Sequence, residues 1–102
     1  MSFRLLASAR RELKQDAAWY ERREGGLGER FLDAVRQGFQ RIVDHPQSLP
    51  RDTMKRSRRD IRRCAVSGFS YQVIFEIRPE ELVVLAIAHG SRRPGYWSRR
   101  KG

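Results

Sequence analysis

The sequence has little of what builds a disulfide framework, a metal centre or a membrane span. It holds one cysteine, Cys64, and two histidines, His45 and His89. One cysteine forms no internal disulfide, and a zinc site would have to combine it with distant partners. No apolar run approaches the roughly 20 residues that cross a bilayer, and residues 1–8 are too short and too weakly charged for a signal peptide. These absences favour a cytoplasmic protein with no metal or other cofactor and no membrane contact.

Acidic residues are scarce relative to basic ones. Lys and Arg total 22 against 12 Asp and Glu, which gives a net charge of +10. Residues 1–50 hold 9 basic and 7 acidic side chains (+2), whereas residues 51–102 hold 13 and 5 (+8). A field of this sign attracts nucleic acid, a nucleoprotein particle or an acidic protein segment, although a basic face can also serve solubility alone.

The first half of the chain predicts a strand followed by a helical hairpin. Residues 3–7 are mostly apolar, and Ser8 can cap the helix that follows. That helix places five residues on one face: Ala9, Leu13, Asp16, Ala17 and Tyr20. The glycine-rich residues 25–28 make the turn, and a second helix ends just before Pro46. Its inner face carries Leu27, Phe31, Val35, Gly38 and Ile42. Gly38 within this face indicates a close approach to the other helix or to the sheet.

The second half predicts three strands joined by short connections. Residues 46–60 form a polar loop, and strands are expected over residues 61–66, 71–77 and 82–88. The last of these is apolar on both faces, as in a central strand. We therefore predict an α+β fold: one two-layer domain over residues 1–102, in the order strand-helix-helix-strand-strand-strand. The helical hairpin packs on a small, largely antiparallel sheet, and residues 98–102 form a flexible basic tail.

A basic run enters the first of these three strands. Its members are Lys55, Arg56, Arg58, Arg59, Arg62 and Arg63. Lys55 and Arg56 are as compatible with a solvated loop as with a binding site. Arg62 and Arg63 fall inside the strand, where guanidinium groups can grip phosphates or a partner's carboxylates. We expect the sheet face opposite the helices to be a concave, arginine-bearing surface.

A second group of functional side chains follows the last strand. His89, Arg92, Arg93, Tyr96 and Trp97 lie within nine residues of one another. A metal-independent ribonuclease needs a base, cations for the phosphate and an acid for the leaving oxygen, and this group offers all three. The alternative is that Tyr96 and Trp97 pack the C-terminal segment on the sheet, while His89 is a hydrogen-bonded strand end.

The ordered motifs resemble the ParE/RelE superfamily of toxins. They are Trp19-Tyr20-Glu21, Gly26-Leu27-Gly28 with Phe31-Leu32, residues 69–77, Val84 to His89, and Arg92-Arg93-Pro94-Gly95-Tyr96-Trp97. The resemblance covers nearly the whole chain in the correct order. It implies a growth-inhibiting toxin of a type II toxin–antitoxin system, neutralised by a cognate antitoxin with an acidic C-terminal segment, and it implies no small-molecule substrate.

The resemblance allows two mechanisms. RelE-like members cleave mRNA in the ribosomal A site without metal, whereas ParE-like members inhibit DNA gyrase. The catalytic candidates for the first are Arg62, Arg63, His89, Arg92 and Tyr96. The candidates for binding antitoxin or target are Arg58, Arg59, Arg62, Arg63, Arg92 and Arg93.

Departures from the ribonuclease pattern favour the second mechanism. Gln72 stands where RelE-like toxins carry an arginine, and Arg62 and Arg63 stand in place of lysines. An arginine followed by a tyrosine is partly retained, as Arg92 or Arg93 with Tyr96. The Arg-Arg-Cys-Ala run that begins at Arg62 is more similar to ParE-like members. We therefore expect a gyrase-binding toxin, with a ribosome-dependent mRNA endonuclease as the alternative.

Overall fold

The chain folds as a strand, a helical hairpin and three further strands, as predicted. The computed structural model describes residues 1–52 and 58–102, so Lys55 and Arg56 of the basic run lie outside the described residues. The elements are β1 (Ser2–Leu5), α1 (Ala7–Arg23), α2 (Leu27–Asp44), β2 (Asp60–Ala65), β3 (Tyr71–Ile77) and β4 (Glu81–His89), with a short 3₁₀ turn at Pro46–Ser48. Within the described residues, no helix has the length and apolar character needed to cross a membrane.

The four strands form one mixed sheet in the order β1-β4-β3-β2. β4 runs antiparallel to β3, and β3 antiparallel to β2. β1 pairs in parallel with β4, from which it is separated in the chain by the helical hairpin and the strands β2 and β3. The α+β prediction is confirmed, and β4 lies between two neighbours as its two apolar faces indicate.

Both faces of the sheet carry apolar clusters. The helix-facing cluster contains Phe31, Val35 and Ile42 of α2 and is completed by Val73, Phe75, Val84 and Ile87 of the sheet. The opposite cluster is formed by Leu6, Ile61, Ile74, Val83, Leu85, Ala86 and Trp97. The second face therefore needs a cover that the helices do not supply.

The turn between the helices depends on two glycines and one carboxylate. Gly26 has a φ of 86°, in the left-handed region that favours glycine. Glu21 accepts hydrogen bonds from the backbone N–H groups of Gly26 (2.9 Å) and Gly28 (3.0 Å), which satisfies donors at the start of α2. A Cβ on Gly28 would lie 2.5 Å from the carbonyl oxygen of Ala17. The two helices thus meet in backbone contact at Gly28.

The start of α1 differs from the expected serine cap. The helix begins at Ala7, and its N-cap is Leu6, which makes no side-chain cap hydrogen bond. The backbone N–H of Leu6 donates to the carbonyl of Val84 at 3.0 Å, so sheet pairing continues to the residue before the helix. Ser8 consequently lies inside the first turn of the helix, and its predicted capping role is wrong.

A bulge in β4 exposes backbone groups at its outer edge. Ile74 pairs with Ala86 and Phe75 with Val84, which leaves Leu85 as an extra residue. β1 ends opposite Val84, so the later part of β4 has no strand on that side. There the carbonyl of Leu85 accepts from Arg100 at 3.0 Å, and the N–H of Ile87 donates to Glu12 at 3.1 Å. Side chains from α1 and the C-terminus take the place of a fifth strand.

The C-terminal segment (residues 96–102) covers the second face of the sheet. Trp97 packs in the opposite cluster and is 7% exposed. Arginines hold the segment's carbonyls: Arg59 donates to those of Ser98 and Arg100, Arg78 to that of Lys101, and Arg4 to that of Gly102. Residues 98–102 were expected to be a flexible tail, whereas the structure places them in these contacts because the apolar second face requires a cover.

Candidate target-binding groove

A groove of about 400 Å³ opens on the sheet face opposite the helices. It lies between the ends of β2, β3 and β4 and the chain that follows β4. The polar side chains that line it include Arg63, Gln72, His89, Arg92, Arg93 and Tyr96. Its described lining holds three arginines and one acidic residue, Asp52. The groove is therefore the arginine-bearing surface that the sequence predicts, and it suits anionic groups such as phosphates and carboxylates.

Strand alternation separates the two adjacent arginines of β2. Cys64 lies on the helix side, where its Sγ–H donates to the carbonyl of Gly38 in α2. Arg62 shares that side, because alternate residues of a strand point the same way. Its guanidinium, with only 14% of the side chain exposed, pairs with Asp60 and donates to the carbonyls of Gln47 (2.8 Å) and Leu49 (3.0 Å). Arg62 thus anchors the loop after α2 and lies outside the groove.

Arg63 occupies the other side of β2 and lines the groove. It pairs in register with Ile74 of β3. Within the described residues, its guanidinium makes no hydrogen bond and no ion pair. It is therefore available to an anionic partner.

Arg59 and Arg58 also differ in their surroundings. Arg59 binds both carboxylate oxygens of Glu76, each at 3.0 Å, besides the carbonyls of the C-terminal segment. Burial alone would raise the pKa of Glu76, but hydrogen bonds from Arg59 and Arg78 outweigh it and hold that pKa below its usual value. Arg59 is thus part of the internal framework, whereas Arg58 is exposed at the edge of the described residues.

His89 lies at the end of β4 with one ring nitrogen engaged. Its Nδ1 accepts the backbone N–H of Ser91 at 3.0 Å and lies 2.7 Å from the Ser91 hydroxyl. Since an amide N–H only donates, Nδ1 carries the lone pair of the ring. The ring also contacts Tyr71 edge to face, with centroids 4.9 Å apart. The lone pair that a general base needs is therefore occupied within the protein.

Tyr96 is bound to the helical layer by its hydroxyl. The hydroxyl donates to Glu12 at 2.7 Å, and the same carboxylate receives two hydrogen bonds from Arg100 (2.9 and 3.1 Å). Burial and the Glu12 carboxylate raise the pKa of Tyr96 above its usual value. The guanidinium of Arg92 stacks over the Tyr96 ring, 4.0 Å from its centroid, which fixes this cation at the groove.

Gln72 lies at the centre of a neutral row across three strands. It pairs with Ala65 on one side and with Ala88 on the other, and it is exposed in the groove. The row therefore carries no cation of its own. Among the described residues, the arginines that bring positive charge to the groove lie at its margins: Arg63 on β2, and Arg92 and Arg93 after β4.

Sequence reasoning assigned no role to Glu12, Asp16 or Glu76. Asp16 gave a signal, since it falls on the apolar face of α1, where an acidic residue implies a buried partner. That partner is Tyr71, whose hydroxyl interacts with the Asp16 carboxylate and lowers its pKa. Burial nevertheless raises the pKa of Asp16, and the hydrogen bond from Tyr71 only partly opposes this.

The raised pKa of Asp16 predicts a pH-dependent effect of Asp16→Asn. The folded-state pKa of Asp16 lies above the unfolded value of about 3.9. Ionisation of Asp16 therefore destabilises the fold increasingly as pH rises from the unfolded-state pKa to the folded-state pKa, and fully at every higher pH. The amide keeps an acceptor for Tyr71 without the charge. We expect a higher Tm for Asp16→Asn than for the native chain at pH 7, and equal values near pH 3. A lower Tm of the variant at pH 7 would contradict this cause.

Two comparisons with known proteins agree with this architecture. Residues 3–94 match the family model described as "ParE toxin of type II toxin-antitoxin system, parDE". A chain of the solved "Chromosomal ParDE TA system from P. aeruginosa" superposes with a TM-score of 0.75 at 13% identity, over 87% of this chain and 95% of that one. At that identity the likeness concerns the fold alone. No curated protein gives a significant sequence match.

Proposed function

We propose, from the premise that this chain belongs to the ParE toxin family of type II toxin–antitoxin systems, that it arrests growth by binding and inhibiting DNA gyrase. It acts in the cytoplasm and without catalysis, and an acidic antitoxin segment that occupies the groove neutralises it. The family supports a toxin, while the choice of target rests on the chemistry of the groove.

The observation that carries the proposal is the engagement of the groove's acid–base groups. The Nδ1 lone pair of His89 is used by Ser91, and the Tyr96 hydroxyl is used by Glu12. Of the two β2 arginines, Arg62 is bound on the helix side. Of the described candidates, Arg63, Arg92 and Arg93 remain at the margins of the groove, beside the neutral row that contains Gln72. This arrangement suits binding of an anionic surface better than proton transfer at a phosphate.

The antitoxin proposal follows from the same charges. Arg63, Arg92 and Arg93 face a groove whose described lining holds one acidic residue, so a segment rich in Asp and Glu gains charge-assisted hydrogen bonds there. A segment seated in the groove also hides these arginines from gyrase. One surface thus serves both partners, and they exclude each other.

Inhibition of supercoiling by the purified protein tests the proposal. We expect the native toxin to block gyrase on relaxed plasmid DNA, and Arg63→Gln with Arg93→Gln to raise the inhibitory concentration about tenfold or more, because a charge-assisted hydrogen bond contributes about 1.5–3 kcal/mol. Arg30→Gln with Arg36→Gln is the matched control, since it removes the same charge from exposed pairs with Glu24 and Asp33 outside the groove. Undiminished supercoiling at micromolar toxin would contradict the proposal.

A ribosome-dependent mRNA endonuclease is the second candidate. It is favoured by the placement of Arg63, His89, Arg92 and Tyr96 on one groove. Under this mechanism His89 would have to exchange Ser91 for the ribose hydroxyl, and Tyr96 would have to leave Glu12. The loss of A-site cleavage on combining Arg92→Gln with Tyr96→Phe would support it.

A further inference from the structure

The acidic and basic side chains of helix α1 differ in whether they have a partner within the fold. Its three acidic side chains all contact other parts of the fold. Glu12 accepts from Arg100, Tyr96 and the N–H of Ile87. Asp16 interacts with Tyr71, and Glu21 accepts from the N–H groups at the start of α2. Its basic side chains are Arg10, Arg11, Lys14, Arg22 and Arg23, and all five are exposed. Among the described residues, no carboxylate lies within ion-pair distance of them. The basic side chains of α1 therefore have no carboxylate partner among the described residues, whereas its carboxylates are engaged within the fold.

Helix α2 shows that this is a property of α1 and not of the whole helical layer. On α2, Arg30 pairs with Glu24 and Arg36 with Asp33, and both pairs are exposed. Arg41 donates to the carbonyl of Ala65. The arginines of α2 are therefore balanced within the protein. On α1, Arg23 stacks over the Trp19 ring at 4.8 Å, while Arg10, Arg11, Lys14 and Arg22 have no carboxylate partner among the described residues.

Three of these cations form a line along the outer face of α1. Arg11, Lys14 and Arg22 lie opposite the buried Ala9 of the same helix, with the small Ala18 between the last two. Eight residues separate Lys14 from Arg22, which is roughly 12 Å along a helix axis. The major groove of B-DNA is roughly 12 Å wide, so the two side chains reach the phosphates on both of its sides.

From this arrangement we infer that the outer face of α1 binds the phosphate backbone of duplex DNA. Along the line itself the side chains are charged or small, and the exposed Trp19 beside it is already stacked with Arg23 at 4.8 Å. Arg and Lys contacts to phosphates fix position without reading sequence. The inference goes beyond gyrase inhibition, because the surface lies on the helical layer and the groove lies on the opposite face of the sheet. It gives the toxin a DNA contact that needs no gyrase.

The salt dependence of DNA binding by the isolated toxin tests this inference. A fluorescent 20-base-pair duplex is titrated with toxin between 50 and 200 mM salt. With three phosphates neutralised, the affinity should fall about 40-fold across that range, from a slope of about 0.9 per contact. Arg11→Gln with Arg22→Gln should reduce the slope by about 1.8. Arg30→Gln with Arg36→Gln removes the same charge from α2 and should leave the slope nearly unchanged.

The outcomes separate the inference from its competitors. An equal decrease of the salt slope in both double variants would overturn the inference, because DNA binding would then follow net charge alone. No binding at 50 mM salt would overturn it too. The face would instead be a site for an acidic polypeptide if Arg11→Gln with Arg22→Gln weakened antitoxin binding and left DNA binding intact. Since gyrase is absent, none of these results depends on supercoiling inhibition.

Discussion

Gly28→Ala is expected to lower the free energy of unfolding by about 3 kcal/mol, at the upper end of what an added methyl group costs in a packed interior. Its Cβ would lie 2.5 Å from the carbonyl oxygen of Ala17 and 3.0 Å from the Cβ of Glu21. The first neighbour is backbone in the middle of α1, so relief requires the two helices to separate. Such a shift also breaks the hydrogen bond from the Gly28 N–H to Glu21.

Gly38→Ala is the matched control for this prediction. Its Cβ would meet Cys64 Sγ at 3.7 Å and Val73 Cγ2 at 3.8 Å, which are ordinary contacts. Because glycine costs about 1 kcal/mol in a helix interior, we expect Gly38→Ala to be neutral or stabilising by up to about that amount. Urea unfolding of both variants measures the two values. Equal destabilisation would show that the turn has no special need for glycine at Gly28.

Glu12→Ala is expected to destabilise the protein by about 3 kcal/mol, because removing one partner leaves other buried polar groups unpaired. The Glu12 side chain is 12% exposed and accepts from Arg100, Tyr96 and the N–H of Ile87. Without the Glu12 carboxylate, the N–H of Ile87 at the edge of β4 and the side chains of Tyr96 and Arg100 in the C-terminal segment lose their acceptor. Faster hydrogen exchange at Ile87 and higher exposure of Trp97, read by fluorescence, should accompany the lower stability.

Glu24→Ala is the control for this prediction. Glu24 pairs with Arg30 where both side chains are more than 60% exposed. Such pairs contribute about 0–1 kcal/mol. A loss in Glu12→Ala no greater than in Glu24→Ala would mean that Glu12 contributes nothing to holding the C-terminal segment beyond its Trp97 packing and its contacts with Arg4, Arg59 and Arg78.

Local patterns predicted the elements and the layers. The glycines at the hairpin, the inner face of α2 and the apolar run of β4 each depend on near neighbours, and each was read correctly. The sequence also indicates the position of Arg62. It lies two and four residues before the apolar Cys64 and Val66, so on a strand it shares their helix-facing side. The sequence-based prediction places both arginines at the site, whereas the structure brings only Arg63 of the two to the groove.

Long-range pairs could not be predicted in the same way. Glu12 and Arg100 are 88 residues apart, and no periodicity links them. The C-terminal segment is polar and basic, which is typical of a free tail, and its docking depends on carbonyl groups that every residue carries. Its contacts with Arg4, Arg59 and Arg78 become visible only once the second sheet face is known to be apolar.

The proposal that the toxin acts on gyrase and not on mRNA can be tested in one culture. After induced expression of the native chain, DNA covalently linked to gyrase and the 5′ ends of ribosome-bound mRNA are measured from the same cells. We expect gyrase-linked DNA to accumulate while mRNA in the A site stays intact. Cleavage of A-site mRNA without gyrase-linked DNA would contradict the account.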